Sequence, residues 1–173
     1  MTRAEYDGLM ETAHPRIRPI IAFTVFTGLR KNNILTFKWP QVDMAGGWVT
    51  VTVKGDKRHA VRLAAPAKAL IGTLSRDRPL VFDTLNFRKL SETVVLDAEL
   101  DDFRFHDLRH TFASWARQAG SDIAAICEAL GHSDITVTMK YAHIKPDEDI
   151  TAFDRVAAGF IAQSTSHKRK VSL

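Results

Sequence analysis

The sequence predicts a mainly α-helical chain with one small antiparallel β-sheet, an α+β arrangement, and three observations carry that expectation. Apolar residues recur at helical spacing in several separate stretches, as in Ile123, Ile126, Cys127 and Leu130. Between Gln41 and Leu63 the spacing turns instead to alternation and β-branched runs, punctuated by Gly46-Gly47 and Gly55-Asp56. Start and stop residues bracket the helical stretches, with Thr2 and Asp122 ahead of two of them and Gly28 and Gly131 behind two.

The chain opens on Thr2 and Glu5, a capping box, after which Tyr6, Leu9, Met10 and Ala13 keep helical spacing until His14-Pro15 ends the run. Ile17 to Phe26 is almost continuously apolar for more than two turns without a turn residue, which fits a buried helix better than a strand. Gly28 stops it. Arg30 then emerges at the rim of the core, where a guanidinium either caps helix carbonyls or faces an anion. Asn32 to Phe37 reads as a short helix closed by Trp39-Pro40. Gln41 to Asp43, Trp48 to Val53 and Ala60 to Leu63 are the expected strands, with Lys54, Lys57 and Arg58 on the second turn.

Pro66 to Leu74 is a helix with the proline near its first turn. Arg76 to Pro79 is a polar break, Val81 to Asp83 a short strand or an extended link, and Asn86 to Leu100 carries no clear pattern. Phe103 and Phe105 are expected beneath a helix that begins near His106 and buries Phe112, Trp115 and Ala116. Gly120-Ser121-Asp122 ends that helix and caps the next, which reaches Leu130 and stops at Gly131. Ser133 or Asp134 caps a helix carrying Thr138, Tyr141 and Ile144, which Pro146-Asp147 breaks. Ile150, Phe153, Val156, Ala157 and Phe160 form the stripe of a last helix. Beyond Gln163 nothing can build a core, so residues 164–173 read as a disordered basic tail.

At 173 residues the chain is sized for one domain with a sizeable core. Lys and Arg number 24 against 20 Asp and Glu, and this +4 leans toward an anionic partner without establishing nucleic-acid binding. The single cysteine, Cys127, excludes an internal disulfide and reads as core packing in a reducing compartment. No apolar run reaches the roughly eighteen residues of a membrane-spanning helix, and the N-terminus carries no signal-peptide core. No membrane partner is expected, and the cytoplasm is the expected location.

The residues that carry chemistry crowd into Phe105 to Tyr141. His106 and Arg109 are three residues apart, so one helix face presents an imidazole beside a guanidinium. His132 follows the glycine that ends a helix, and Tyr141 lies nine residues on, about two and a half turns, so a single helix would hold the two on opposite sides. They must belong to different elements that fold back to one pocket.

These residues resemble the C-terminal half of the active site of the tyrosine recombinases, the phage integrase family, which reads H-x-x-R, then L-G-H, then a tyrosine nine positions later. Upstream, Thr27-Gly28-Leu29-Arg30 resembles the family's first catalytic arginine, and Val53-Lys54-Gly55-Asp56-Lys57 the hairpin of its catalytic lysine. The resemblance spans about residues 2 to 155. It implies that residues 1–163 form the family's catalytic domain, that the N-terminal DNA-clamping domain is absent, and that the chain is a piece of a longer protein. The implied activity is site-specific recombination of double-stranded DNA, as in integration and excision, through a covalent 3′-phosphotyrosine. The whole protein would act as a homotetramer on DNA, in a bacterial, phage or other mobile-element setting, with neither cofactor nor metal.

In that reading Tyr141 is the nucleophile, and Arg30 and Arg109 meet the negative charge that gathers on the phosphate's nonbridging oxygens. His132 hydrogen-bonds such an oxygen, and Lys54 protonates the leaving alkoxide. An unperturbed phenol has a pKa of about 10. Tyr141 therefore attacks only if the arginines lower that value or a neighbour takes its proton, and His106 is the candidate neighbour. Asn33 and His110 support the site, and Lys57 and Arg58 contact the DNA backbone. Asn33 stands where the family usually has an acidic residue; its amide accepts a hydrogen bond but holds no cation by charge. A metal held by His106, His110, His132 and His143 is disfavoured because the adjoining arginines would repel it. A catalytically inactive DNA-binding regulator on the same fold is the alternative; completeness of the Arg, Lys and Tyr set argues against it. A topoisomerase of related chemistry fits the spacings less well.

Overall fold

The computed structural model describes residues 1–53 and 55–145. Lys54, the break at Pro146-Asp147, the last helix expected over 150–160 and the tail over 164–173 lie outside the described residues. Within them the expected class holds: the chain is mainly helical, with one three-stranded antiparallel sheet.

Helix α1 (Arg3–Thr12) begins with the anticipated box, the Glu5 N–H donating to Thr2 Oγ1 at 3.2 Å and the Thr2 N–H to Glu5 Oε2 at 2.6 Å. The apolar run is α2 (Arg18–Thr27), with Ile20, Ile21, Phe23 and Val25 all buried, and it ends on Gly28 at φ +64°. A short α3 (Lys31–Leu35) and a 3₁₀ turn at Trp39–Gln41 lead into the sheet. Its strands are β1 (Val42–Asp43), β2 (Trp48–Val53) and β3 (Lys57–Arg62), antiparallel in chain order. Val49, Val51 and Val61 bury one face of it.

The third strand starts three residues earlier than its apolar pattern suggests, because the ladder runs up to the turn: Val53 pairs with Lys57 and Thr52 with Arg58. Lys57 and Arg58 are therefore strand residues rather than turn residues. Alternation separates them, sending Lys57 to the face of His59 and Val61 and Arg58 to the opposite one.

Helix α4 (Ala65–Gly72) packs on α2. Val81 to Asp83 is the extended link: the Val81 N–H donates to the Phe37 carbonyl at 2.9 Å, and the one bridge there joins Lys38 to Leu80. Phe82 completes a cluster with Phe23 and Phe37, its ring centroid 5.1 and 6.3 Å from theirs. The unpatterned stretch contains α5 (Phe87–Asp97), which packs on α1.

Helix α6 (Asp107–Gln118) is gripped by α2 and by α7 (Ile123–Leu130). Its most enclosed residues are accordingly Leu108, Arg109, Thr111 and Ala113, whereas the expected Phe112, Trp115 and Ala116 are only partly buried along its flanks. Trp115 lies against α1, with Tyr6 edge-on at 5.6 Å, the Arg3 guanidinium 3.4 Å above its ring, and its Nε1–H donating to the Met1 carbonyl at 3.2 Å.

Asp122 caps α7, accepting the Ala125 N–H at 2.6 Å, and Gly131 closes it at φ +61°. Cys127 sits at the helix flank rather than in the core, half-buried, its Sγ–H donating to the His132 carbonyl at 3.6 Å. Asp134, not Ser133, holds the next start by accepting the Thr136 N–H at 2.8 Å. Helix α8 (Thr136–Met139) is a single turn, so Tyr141 is not on it. The chain continues in tighter turns, with Tyr141 N–H on Thr138 O at 3.0 Å and Ile144 N–H on Tyr141 O at 3.1 Å. A second, smaller core forms here from Ala113, Ile126, Leu130 and the Tyr141 ring.

Candidate active site

Two helix ends and the hairpin converge because two glycines let backbone come close. A Cβ on Gly28 would fall 2.5 Å from a Phe112 ring carbon and 2.8 Å from Leu130, and one on Gly131 would fall 2.9 Å from the His59 ring. Both glycines also hold positive φ, so each is needed twice over. His59 Nε2 lies 3.1 Å from the Ala129 carbonyl and ties β3 to the end of α7.

Arg109 fastens the same two helix ends from beneath. Its guanidinium donates to the Gly28 carbonyl at 2.5 Å and to the Leu130 carbonyl at 2.7 Å, and the residue is only 3% exposed. Burial, then the nearby Arg30 charge, lowers its pKa to about 10, which leaves it a cation at neutral pH. Arg30 stands two residues past Gly28 and His132 two past Leu130, so Arg109 anchors the segments that carry both. The Arg30 guanidinium makes no hydrogen bond or ion pair among the described residues, although the Arg30 carbonyl accepts the Ile34 N–H at 3.2 Å. Carbonyl capping thus falls to Arg109, and the half-buried Arg30 fork is left for an anion.

His132 Nδ1 lies 2.8 Å from the buried Thr138 hydroxyl. Burial first, then Arg109, Arg30 and Lys140, lowers its pKa to about 4, so the ring is neutral near pH 7. Tyr141 is 5% exposed, and its hydroxyl lies 2.5 Å from His110 Nδ1. His106 does not reach it. That ring is exposed, stands edge-on to His110 with centroids 4.9 Å apart, and makes no hydrogen bond among the described residues. The arginine field does not lower the phenol pKa either: burial outweighs Arg109 and raises it.

Sequence reasoning passed over three participants. Thr138, named there only as a residue of its helix, meets His132 through its hydroxyl; His59, which falls just ahead of the expected third strand, binds the end of α7; and Lys140, whose Nζ lies 5.2 Å from the Tyr141 ring centroid, is a further cation at the site. Only Lys140 carried a signal, its adjacency to Tyr141. Among the described residues no three His, Cys, Asp or Glu side chains are gathered as a metal site would need.

Asn33 acts as a donor, not as the expected acceptor: its Nδ2–H reaches the Thr52 carbonyl at 3.2 Å, tethering α3 to the strand that leads to Lys54. A carboxylate here would set oxygen against oxygen. Asn33→Asp is expected to lower stability by about 1 kcal/mol, read as a drop of a few degrees in the thermal midpoint. An unchanged or higher midpoint would show that the tether contributes nothing.

A family model described as the phage integrase family matches residues 1–148. The chain is similar to the integrase of Salmonella phage P22, at 28% identity over 166 residues, which is 83% of this chain and 43% of that protein. It is similar to the tyrosine recombinase XerC of Pelobacter propionicus, at 31% identity over 157 residues, 81% of this chain and 51% of that protein. The chain thus spans about half the length of these curated relatives. Among solved structures, the catalytic domain of bacteriophage HP1 integrase superposes with a TM-score of 0.74 at 28% identity, covering 88% of this chain and 92% of that one. The recombinase XerH bound to its difH substrate before cleavage gives 0.65 at 25% identity, over 83% of this chain and 49% of that one.

Proposed function

The chain belongs to the phage integrase family, and on that premise we propose that it is the catalytic part of a site-specific recombinase, with residues 1–163 as the catalytic domain. It cuts and rejoins double-stranded DNA through a 3′-phosphotyrosine on Tyr141. The observation that supports this best is the convergence of Arg30, Arg109, His132 and Tyr141 from four different segments onto one cation-rich site. DNA is the partner class because the site is cation-rich, as a phosphate backbone requires, and the similar site-specific recombinase XerH was solved bound to its difH substrate. The resemblance extends this to a homotetramer on DNA in the cytoplasm.

The chemistry follows from the geometry. Attack by Tyr141 Oη on phosphorus raises charge on the nonbridging oxygens, where the free Arg30 fork and the Arg109 N–H groups not engaged by carbonyls compensate it. His132 is neutral, and with the Thr138 hydroxyl donating to its Nδ1 the proton rests on Nε2, aimed at the phosphate as a donor. The P–O5′ bond breaks and Lys54 protonates the departing oxygen. The phosphotyrosine retains the bond's free energy, so a 5′-hydroxyl from either strand can reverse the step without a nucleotide cofactor.

The test uses a pool of duplexes randomised around a single nick, so that the short cleaved fragment diffuses away and the adduct accumulates. With the upstream strand labelled at its 5′ end and EDTA present, a detergent-stable, protease-sensitive labelled band is expected at the mass of the protein plus DNA. No band, or label transferred through a 5′-phosphate, would overturn the reading.

A further inference from the structure

We propose that His110 is the catalytic base: its Nδ1 takes the Tyr141 hydroxyl proton, and its ring faces an acidic cleft into which that proton is released. This rests on Tyr141 being the nucleophile. The contact is direct, Nδ1 to Oη at 2.5 Å, and no other imidazole is hydrogen-bonded to that hydroxyl among the described residues. The need for a base is physical, because burial raises the Tyr141 pKa and leaves almost no phenolate at neutral pH.

His110 is suited to accept. Burial first, then the charges of Lys140 and His106, keeps its pKa low, with Arg109 acting in the same direction, so its Nδ1 lone pair is free near pH 7. Asp107 opposes that trend and favours the imidazolium once it forms. The same α6 face that presents His110 also presents Asp107, Thr111 and Ser114 to a cavity of about 520 Å³. Glu5, Glu99, Asp101 and Asp102 line the same cavity. The imidazole therefore adjoins both the cation-rich phosphate site and a cleft lined by acidic residues, into which a proton can be released.

The step balances. At rest the ring carries its proton on Nε2. The Oη–H proton moves to Nδ1, the oxygen lone pair forms the Oη–P bond, and the P–O5′ bond breaks, O5′ leaving with its electron pair and taking a proton from Lys54. The imidazolium then gives one proton to water in the cleft. On rejoining, a 5′-hydroxyl gives its proton to the now neutral Lys54 as its oxygen attacks phosphorus, the Oη–P bond breaks, and Tyr141 Oη takes the Nδ1 proton of His110, whose Nε2 regains a proton from water in the cleft.

The decisive variant is His110→Asn, whose side-chain oxygen sits near the position of Nδ1 and keeps the hydrogen bond but cannot hold a proton. Adduct formation on the nicked pool is expected to fall by roughly 10²-fold or more. The residual rate is expected to climb about tenfold per pH unit as hydroxide replaces the base, while the unaltered chain levels off. A DNA substrate with sulfur at the bridging 5′ position, whose thiolate leaves without an acid, is expected not to relieve the defect. A purely structural His110 predicts instead a near-normal rate for His110→Asn with an unchanged pH profile, which would overturn the proposal, as would relief by the sulfur substrate. His106→Asn serves as the rival, and a larger loss there than at His110 would reassign the base. The chain has two tyrosines, so ¹³Cζ-tyrosine labelling gives two signals, with Tyr6 identified by Tyr6→Phe. The Tyr141 signal is expected to follow the titration of His110 and to lose that dependence in His110→Asn; persistence would refute the contact. An unaltered chain that forms no adduct sinks both readings, whereas a fully active His110→Asn sinks only this one.

Discussion

Tyr141→Phe is expected to abolish the covalent adduct while leaving the thermal midpoint within about 4 °C of the parent's. The two halves of that result separate nucleophile from core aromatic. The Tyr141 ring packs with Ala113, Ile126 and Leu130, and phenylalanine keeps every one of those contacts. What disappears is one hydrogen bond to His110, worth about 1 kcal/mol in folding. In catalysis the same atom is the bond-forming oxygen, so its loss leaves no residual route to a phosphotyrosine. Detergent gels on the nicked pool and a melting curve by circular dichroism read the two quantities on one preparation. An adduct that persists in the phenylalanine variant removes Tyr141 from the centre of the chemistry.

Arg109→Leu is expected to lose both activity and stability, in contrast to Arg30→Ala. The Arg109 side chain satisfies two buried carbonyls, and an orphaned buried acceptor costs about 1–3 kcal/mol, so the pair amounts to about 4 kcal/mol. At 2–4 °C per kcal/mol for a chain of this size the midpoint falls by about 10 °C. Arg109→Lys rescues little, because one ammonium cannot span both carbonyls and still present a fork to phosphate. The Arg30 guanidinium has no hydrogen-bonded partner among the described residues to orphan. Its alanine variant is expected to melt near the parent while forming adduct slower by the equivalent of about 3 kcal/mol of lost charge stabilisation. Equal melting losses in the two variants would refute the division of labour between the arginines.

Much of this was legible in the sequence wherever one residue type has one physical use. Gly28 and Gly131 end helices because only glycine takes their positive φ cheaply, and the apolar run of α2 admits no other placement than the core. Helix α5 stayed hidden because it buries only Val94 and starts on Asn86 at φ +57° without a side-chain cap, so neither stripe nor start signal is strong. Tyr141 was misplaced for a different reason. The spacing of Thr138, Tyr141 and Ile144 by threes suits an α-helix, but it suits successive i→i+3 turns equally well, and those are what form. Which histidine meets the tyrosine could not be read at all. His106 and His110 lie one helical turn apart on the same face, and only the path of the turn after α8 over α6 selects between them.

The double fastening by Arg109 also bears on how degenerate relatives are to be judged. A descendant that had given up strand transfer but still served as a folded DNA-binding protein would remain under selection to keep this arginine, since two helix ends depend on it. Its presence in a genome-derived sequence therefore certifies a foldable chain, not a working enzyme. The informative positions are those whose loss leaves the architecture standing, Arg30 and the hydroxyl of Tyr141 above all, and decay of the family's chemistry is to be looked for there first.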